Sequence, residues 1–397
     1  MSAAGRFRYV PSTRRATTVL PSTLDDAALE EILASVRRRF SLKPKVAIAG
    51  FGKAGKSSLF NAIYGEAVAA VSMKTDQTTE AQTLERFGID FTDTPGMGTG
   101  RFSFEQVAET GVFDGQHVVL HVLNGVSAIS AEDERLHAAI ERSKARRITL
   151  VNKADLLEER ERAEFAESAC ERLGLGRQEV LFVSAKRGDN LPELVQRIAE
   201  LLPEAMQDAF IGQQIANLQL KERRVRALVY AKAAVSAGVA LAPLPGADIF
   251  FITPIQLAMV AAVGHFHGVE VDRTRALELL ATMGAGVGFR ESARQLVKLI
   301  PGYGSVVSAG IAFAGTVALG EAANAWFKSR MKLDPAVVRE VFKDTAERAR
   351  REFAERGEAS SPSLVRKAEA LRAGFEKGEL SREELERLLV IAEDGED

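Results

Sequence analysis

Between residues 44 and 203, short apolar runs alternate with stretches of helical periodicity, and this alternation limits the fold more than any other feature of the chain. The runs are KVAIAG, TLERF, IDFTDT, HVVLHVL, RITLVNK and EVLFVSA. Short, mostly apolar runs suit strands covered on both faces, and the helical segments between them supply the crossovers. The reading is an α/β domain, a doubly wound mixed sheet with helices on both sides. Loops that carry function are expected after the carboxyl ends of its strands.

The first such loop is GFGKAGKS, residues 50 to 57. Gly50 and Gly55 let the backbone wrap closely and turn its N–H groups inward, and the helix that follows adds its positive N-terminal end. Lys56 is placed to bridge β- and γ-phosphate oxygens and the Ser57 hydroxyl to ligate Mg²⁺; Gly52, Lys53, Ala54 and Ser58 complete the cradle. DTPG, residues 93 to 96, ends the third run, where Asp93 suits a carboxylate that holds Mg²⁺ through a water and the Gly96 amide suits a γ-phosphate sensor. NKAD, residues 152 to 155, and SAK, residues 184 to 186, follow the last two runs. The Asp155 carboxylate can accept hydrogen bonds from guanine N1–H and the exocyclic amine, a pair of donors adenine does not offer. Asn152 and Lys153 would brace the loops and cover the base, and within the Ser184, Ala185, Lys186 turn the Ala185 amide would meet the guanine oxygen.

With these four elements in this order, and with GKSSLFNAIYGEAVAAVS continuing the first, the stretch resembles a P-loop GTPase domain of the Era/TrmE-like class over about 160 residues. The resemblance implies GTP and GDP binding with Mg²⁺, slow hydrolysis, and switch loops around residues 67 to 80 and 94 to 112. Three positions depart from the family pattern. The switch threonine lies in MKTDQTTEAQ, so Thr79, with Thr78 as the alternative, takes the Mg²⁺ and γ-phosphate contact. Met97 stands after DTPG where Ras-like enzymes have a water-orienting glutamine. Lys53 stands where many relatives have an asparagine that helps to hold potassium. Its ammonium either occupies that place and stabilises developing charge, as an arginine does in the similar guanylate-binding proteins, or is a solvated loop-rim lysine. Catalytic roles therefore fall to Lys53, Lys56, Thr79 and Gly96, and metal ligation to Ser57, Thr79 and Asp93.

Around this domain, residues 1 to 23 read as a flexible basic arm and residues 24 to 43 as an amphipathic lead-in helix, with Leu29, Ile32, Leu33, Val36 and Phe40 at helical spacing. Residues 204 to 331 are apolar and helical, opening with one long helical pattern from Gln213 to the PLPG break. The uncharged runs from Ile249 to Gly264 and from Ser305 to Gly320 are about 16 residues each, short of the roughly 20 a spanning helix needs. They admit two readings, a compact bundle with Gly and Ala contacts or a shallow hairpin in a bilayer. PLPGADIFFITPIQLAMVAAVG and IPGYGSVVSAGIAFAGTVALGEA are similar to the YcjF-like domain of unknown function, which implies pairing with a GTPase and, at times, membrane association. Asp248 reads as a helix N-cap. The tail, residues 332 to 397, is charged and helical, with a helix start at Asp334-Pro335 and a capping box at Ser381 and Glu384. Its leucine stripe of Leu380, Leu385, Leu388 and Leu389 suits docking or self-association.

Composition narrows the partners. Lys+Arg number 52 against 54 Asp+Glu, a formal charge of −2, so a nucleic-acid or ribosomal partner would need a local basic patch. Cys170 is the single cysteine, which excludes an internal disulfide, and the five histidines make no metal-ligand spacing with it. HFH at 265 to 267 reads as helix surface. The expectation is a GTP-hydrolysing switch whose nucleotide state controls a helical effector, either cytoplasmic or at the inner-membrane surface, with lipid or a second copy of the chain as partner. Two alternatives are a dynamin-like assembly scaffold and an Era-like ribosome-assembly factor.

Overall fold

A computed structural model describes residues 26 to 65, 113 to 240, 252 to 272 and 304 to 356, with scattered positions at 274, 275 and from 370 to 379. Its sheet runs β1 (Val46–Ala49), β2 (Val118–Asn124), β3 (Arg146–Asn152), β4 (Val180–Phe182) in that spatial order, every pair parallel. The register sets Asn124 beside Asn152, so β2 and β3 end level, whereas Ala49 lies beside His121 and β1 stops earlier. The runs at 83 to 87 and 89 to 94 lie outside the described residues.

Alternate side chains go to opposite faces of each strand. Val46, Ile48, Val118, Leu120, Ile148 and Leu150 meet α2 (Lys56–Tyr64) through Leu59 and Ile63. On the same face, a later helix spanning Leu191–Leu201 adds Leu194 and Ile198. On the other face, Ala47, Ala49 and Val119 meet Leu136 and Ile140 of α3 (Ala131–Arg142). Leu123, Val151 and Val180 meet Ala169 and Leu173 of α4 (Glu159–Leu173). Helix α3 begins with a capping box between Ser130 and Asp133, and α4 stops at Gly174 in the left-handed conformation.

The rest of the described chain is helical: after α5 (Leu191–Leu201) come α6 (Glu204–Gln213), α7 (Leu218–Ala240), α8 (Thr253–Phe266), α9 (Gly304–Lys328) and α10 (Pro335–Arg356). Helix α9 packs along α7 and α10, and α8 fills the space beside them. Small residues line these contacts, with Ala233, Ala234 and Ala237 of α7 and Ala318, Ala322 and Ala323 of α9 all buried. Helix α8 is buried almost all round, from Pro254 to Phe266 apart from Gln256 and His265. Among the described residues, no helix is long and apolar enough to cross a membrane. Asp334 caps α10, its carboxylate accepting the Ala336 N–H at 2.7 Å. Asp248 and the Ser381–Glu384 box lie outside the described residues, as do Leu380, Leu385, Leu388 and Leu389.

Two sequence expectations need correction. The long helix read from Gln213 starts only at Leu218: Gln213 ends α6, and residues 214 to 217 turn the corner between the two. The Gln214 side chain donates to the Asn217 carbonyl (2.9 Å) and accepts the Asn217 N–H (2.7 Å), while Asn217 Oδ1 caps α7 at Leu220 N (2.8 Å). These amides offer the backbone an alternative to the helical ladder. HFH is not helix surface either. The His265 ring stacks on Phe40 at 5.0 Å, Phe266 is buried, and His267 Nε2 lies 2.7 Å from Asn324 Oδ1.

The two regions share one continuous core. Helix α1 (Asp26–Phe40) buries Leu29, Leu33 and Val36 and packs against α6 and α8, although it precedes β1 in the chain. The C-terminal end of α2 meets α6: the Ile215 N–H donates to the Ile63 carbonyl (2.8 Å), and the Tyr64 ring packs edge-on against Phe210. Nearby, Asp208 is buried between the guanidinium groups of Arg39 from α1 and Arg224 from α7.

Candidate functional site

The carboxyl ends of β1, β3 and β4 bring three loops together. After β1, the chain turns through Lys53 and Gly55, both left-handed, into α2. A side chain at Gly50 would meet the Val122 carbonyl at 2.4 Å, and one at Gly55 would meet the Asn152 amide at 2.4 Å, so glycine permits both close approaches. Lys56, 9% exposed, donates from Nζ to the Gly50 carbonyl at 2.9 Å, which folds its ammonium back over the loop. Ser57 and Ser58 are exposed on the first turn of α2, and Gly52 and Lys53 are exposed on the loop rim. This cradle fits a polyphosphate: a glycine-lined bend, a helix N-terminus and a held ammonium.

Asn152 ties the loops together. Buried at the end of β3, it donates from Nδ2 to the Ala54 carbonyl (2.9 Å) and accepts the Ala185 N–H on Oδ1 (3.1 Å). The Ala185 amide is thus committed within the loops of this structure. Lys153 takes a left-handed conformation that turns the chain into a short 3-10 helix, Ala154–Leu156. Within that helix, the Asp155 side chain is 6% exposed and accepts the Ser184 hydroxyl on Oδ1 at 2.7 Å. That bond, more than the nearby charges of Arg187 and Lys186, holds the Asp155 carboxyl below the usual carboxylate range. An ionised carboxylate can accept paired N–H donors from a planar base.

Thr78, Thr79, Asp93 and Gly96 lie outside the described residues, as does Met97. The structure therefore brings together the residues at 50 to 58, 152 to 155 and 184 to 186. Among the described residues, no cluster of three or more His, Cys, Asp or Glu side chains suited to a metal occurs. Two supports escaped the sequence reading. Gly125, just after β2, donates its N–H to the Asn152 carbonyl at 3.0 Å, and a glycine directly after a strand is a signal that would have revealed it. Arg162 of α4 donates to the Ala154 carbonyl at 2.8 Å, a contact between separate elements with no local sequence mark.

Comparison with known proteins agrees with this geometry. Residues 45 to 153 match the family described as 50S ribosome-binding GTPase, and residues 206 to 351 match a domain of unknown function, DUF697. The chain is 32% identical over 169 residues to GTPase Era of Carboxydothermus hydrogenoformans, covering 40% of this chain and 55% of that protein. It is 34% identical over 172 residues to GTPase Der of Heliobacterium modesticaldum, covering 41% of this chain and 37% of that protein. The chain thus spans about half, or less, of the curated relatives it matches. A solved structure reported as an oligomerised bacterial dynamin pair covers 82% of this chain and 76% of its own at 14% identity, with a TM-score of 0.29, too slight a likeness to carry an argument. This chain carries a P-loop GTPase domain of the Era and Der type, followed by a helix-rich DUF697 region.

Proposed function

We propose that the chain binds GTP and GDP, hydrolyses GTP, and uses nucleotide state to set the arrangement of its helical region. One observation carries the coupling: α2 begins at Lys56 in the phosphate cradle and ends at Tyr64 against Phe210 of α6, with Ile63 bonded to Ile215. A nine-residue helix moves nearly as a rigid rod, so a shift at its N-terminus reaches the helical region directly.

In this reading Gly50, Gly52, Lys53, Ala54, Gly55 and Lys56 hold the phosphates, and Asn152, Lys153, Asp155, Ser184 and Lys186 hold the base, while the Ala185 amide would reach the guanine oxygen by exchanging its bond to Asn152 Oδ1. Ser57, Thr79 and Asp93 would hold Mg²⁺, which when bound neutralises charge on the β- and γ-phosphate oxygens. Thr78, Thr79 and Gly96 would respond to the γ-phosphate. Lys53, exposed on the loop rim, would supply a second cation of the loop, beside Lys56, for the charge that develops as the terminal phosphoryl leaves. The burial of α8 and of the described face of α9 within the bundle supports an effector packed on protein rather than those helices inserted in lipid.

Replacing Asp155 by Asn tests the base assignment: the amide offers a donor where xanthine offers an acceptor, so preference moves from GTP towards XTP in a nucleotide titration. Unchanged GTP preference sinks it. Hydrogen exchange over residues 204 to 217 tests the coupling, with a difference expected between GDP and a non-hydrolysable GTP analogue. Equal exchange rejects the coupling and leaves the binding reading standing.

A further inference from the structure

The turn after β4 fixes one side chain beside Asp155. Ser184 N donates to the Asp189 carbonyl (3.1 Å), Gly188 N to the Ser184 carbonyl (2.8 Å), and Arg187 N to Ser184 Oγ (3.0 Å). With its backbone held this way, Arg187 sets Nε 3.9 Å from Asp155 Oδ2, and its own side chain is 65% exposed. The two carboxylate oxygens are therefore unlike. Oδ1 accepts the Ser184 hydroxyl, whereas Oδ2 faces a guanidinium at the solvent edge.

We propose that Arg187 is a specificity-determining residue of the base site, a second partner for Asp155 Oδ2 that the exocyclic amine of guanine must replace. The inference rests on the reading of Asp155 as the base-recognition carboxylate. Guanine brings two donors, N1–H and the amine; hypoxanthine brings only N1–H. When hypoxanthine binds, Arg187 keeps Oδ2 paired, so the missing amine costs little. Without Arg187, the same base leaves an oxygen of a nearly buried carboxylate unpaired, which is the costly arrangement. Guanine, by contrast, loses a competitor. Arg187 thus softens discrimination against inosine nucleotides, and it acts at the exposed rim, where an ion pair is worth little and can be exchanged.

The test is displacement of a fluorescent GDP from the full chain by GTP, ITP and XTP, for the wild type, Arg187→Ala and Arg187→Lys. In Arg187→Ala the ratio of GTP to ITP affinity rises about two- to fivefold, the span of an exposed ion pair, through weaker ITP binding with GTP unchanged or tighter. Arg187→Lys, a point charge without the planar fork, falls between the two. An unchanged ratio, or an equal loss for GTP and ITP, overturns the proposal, the second because it marks a loop held only for structure. A wild type without preference for GTP over XTP, or Asp155→Asn with wild-type preference, overturns the base reading itself and this inference with it.

Discussion

The loops at the strand ends and the helical region place their polar groups in opposite ways. At the strand ends, polar side chains tie the loops to one another and to backbone: Lys56 meets the Gly50 carbonyl, Asn152 the Ala54 carbonyl, and Ser184 the Asp155 carboxylate. In the helical region, side chains meet side chains between separate helices, as with Asp208 and two arginines, Gln256 and Thr316 at 3.1 Å, and His267 and Asn324. The first arrangement leaves donors and an ionised carboxylate aimed outward for a ligand. The second uses its polar groups to fix helices against each other, so its sensitivity to substitution should appear in stability.

The largest test of this contrast is Phe210→Ala. Phe210 is fully buried in the core that both regions share and packs against Tyr64. Truncation of a buried phenylalanine costs about 3 to 5 kcal/mol. Because the core is continuous, calorimetry should show both regions losing stability together. Separate transitions, with the GTPase domain unmoved, would break the picture of one core.

Lys56→Ala probes the other side at a somewhat smaller scale. A hydrogen bond to a charged group is worth up to about 3 kcal/mol, so triphosphate affinity should fall roughly a hundredfold. The thermal midpoint without nucleotide should hardly change, since in this structure Lys56 folds back on its own loop. A large drop in midpoint with affinity intact would reverse the contrast.

The same contrast explains how much could be read from the sequence. The phosphate cradle and the 152 to 155 and 184 to 186 loops were legible because their chemistry is local: glycines for close approach, a lysine and a carboxylate at strand ends. The apolar stripe of α1 was equally plain, but its docking on α6 and α8 rather than on the sheet was not, since periodicity gives a buried face and no partner. The corner at 214 to 217 carries no Gly or Pro and depends on Gln214 and Asn217 bonding to backbone, so it read as unbroken helix. His265 read as surface because its partner, Phe40, lies far away in the chain.

A pH titration sharpens the comparison inside the GTPase domain, where one polar pair breaks the local rule. His121 of β2 is fully buried, with Nδ1 3.3 Å from Nδ1 of His137 on α3, and Arg147 lies 2.7 Å from His137 Nε2. Burial, reinforced by His137 and Arg147, pushes His121 down to about 3, and burial chiefly lowers His137 as well. A depressed histidine is neutral when folded, so below the unfolded pKa of about 6.5 the unfolded chain takes up protons that the folded chain refuses. This stability is present above pH 6.5 and is lost as pH falls towards 3. Between pH 6.5 and 5, His121 alone should cost about 2 kcal/mol. His121→Gln should flatten the slope measured by denaturant unfolding; an unaltered slope would move the effect elsewhere.

The smallest effect is expected where the two regions meet, and its sign matters more than its size. The Tyr64 ring packs against Phe60 and Phe210, but its hydroxyl oxygen is buried without a hydrogen-bond partner among the described residues, as are Asn61 Oδ1 on the same helix and Gln213 Oε1 at the end of α6. Burial pushes the Tyr64 phenol well above its ordinary range, so it carries no charge to compensate. A buried hydroxyl without a partner costs about 1 to 3 kcal/mol, and Tyr64→Phe removes the oxygen while keeping the ring. The variant should gain up to about 1 kcal/mol, since part of the penalty is relieved by local adjustment. Removal of a polar atom would then strengthen the junction, whereas at the strand ends the same kind of removal weakens binding. Loss of a comparable amount instead would show that the hydroxyl is bridged by water to a neighbour, and that the seam between α2 and α6 is held by a polar network rather than by ring packing.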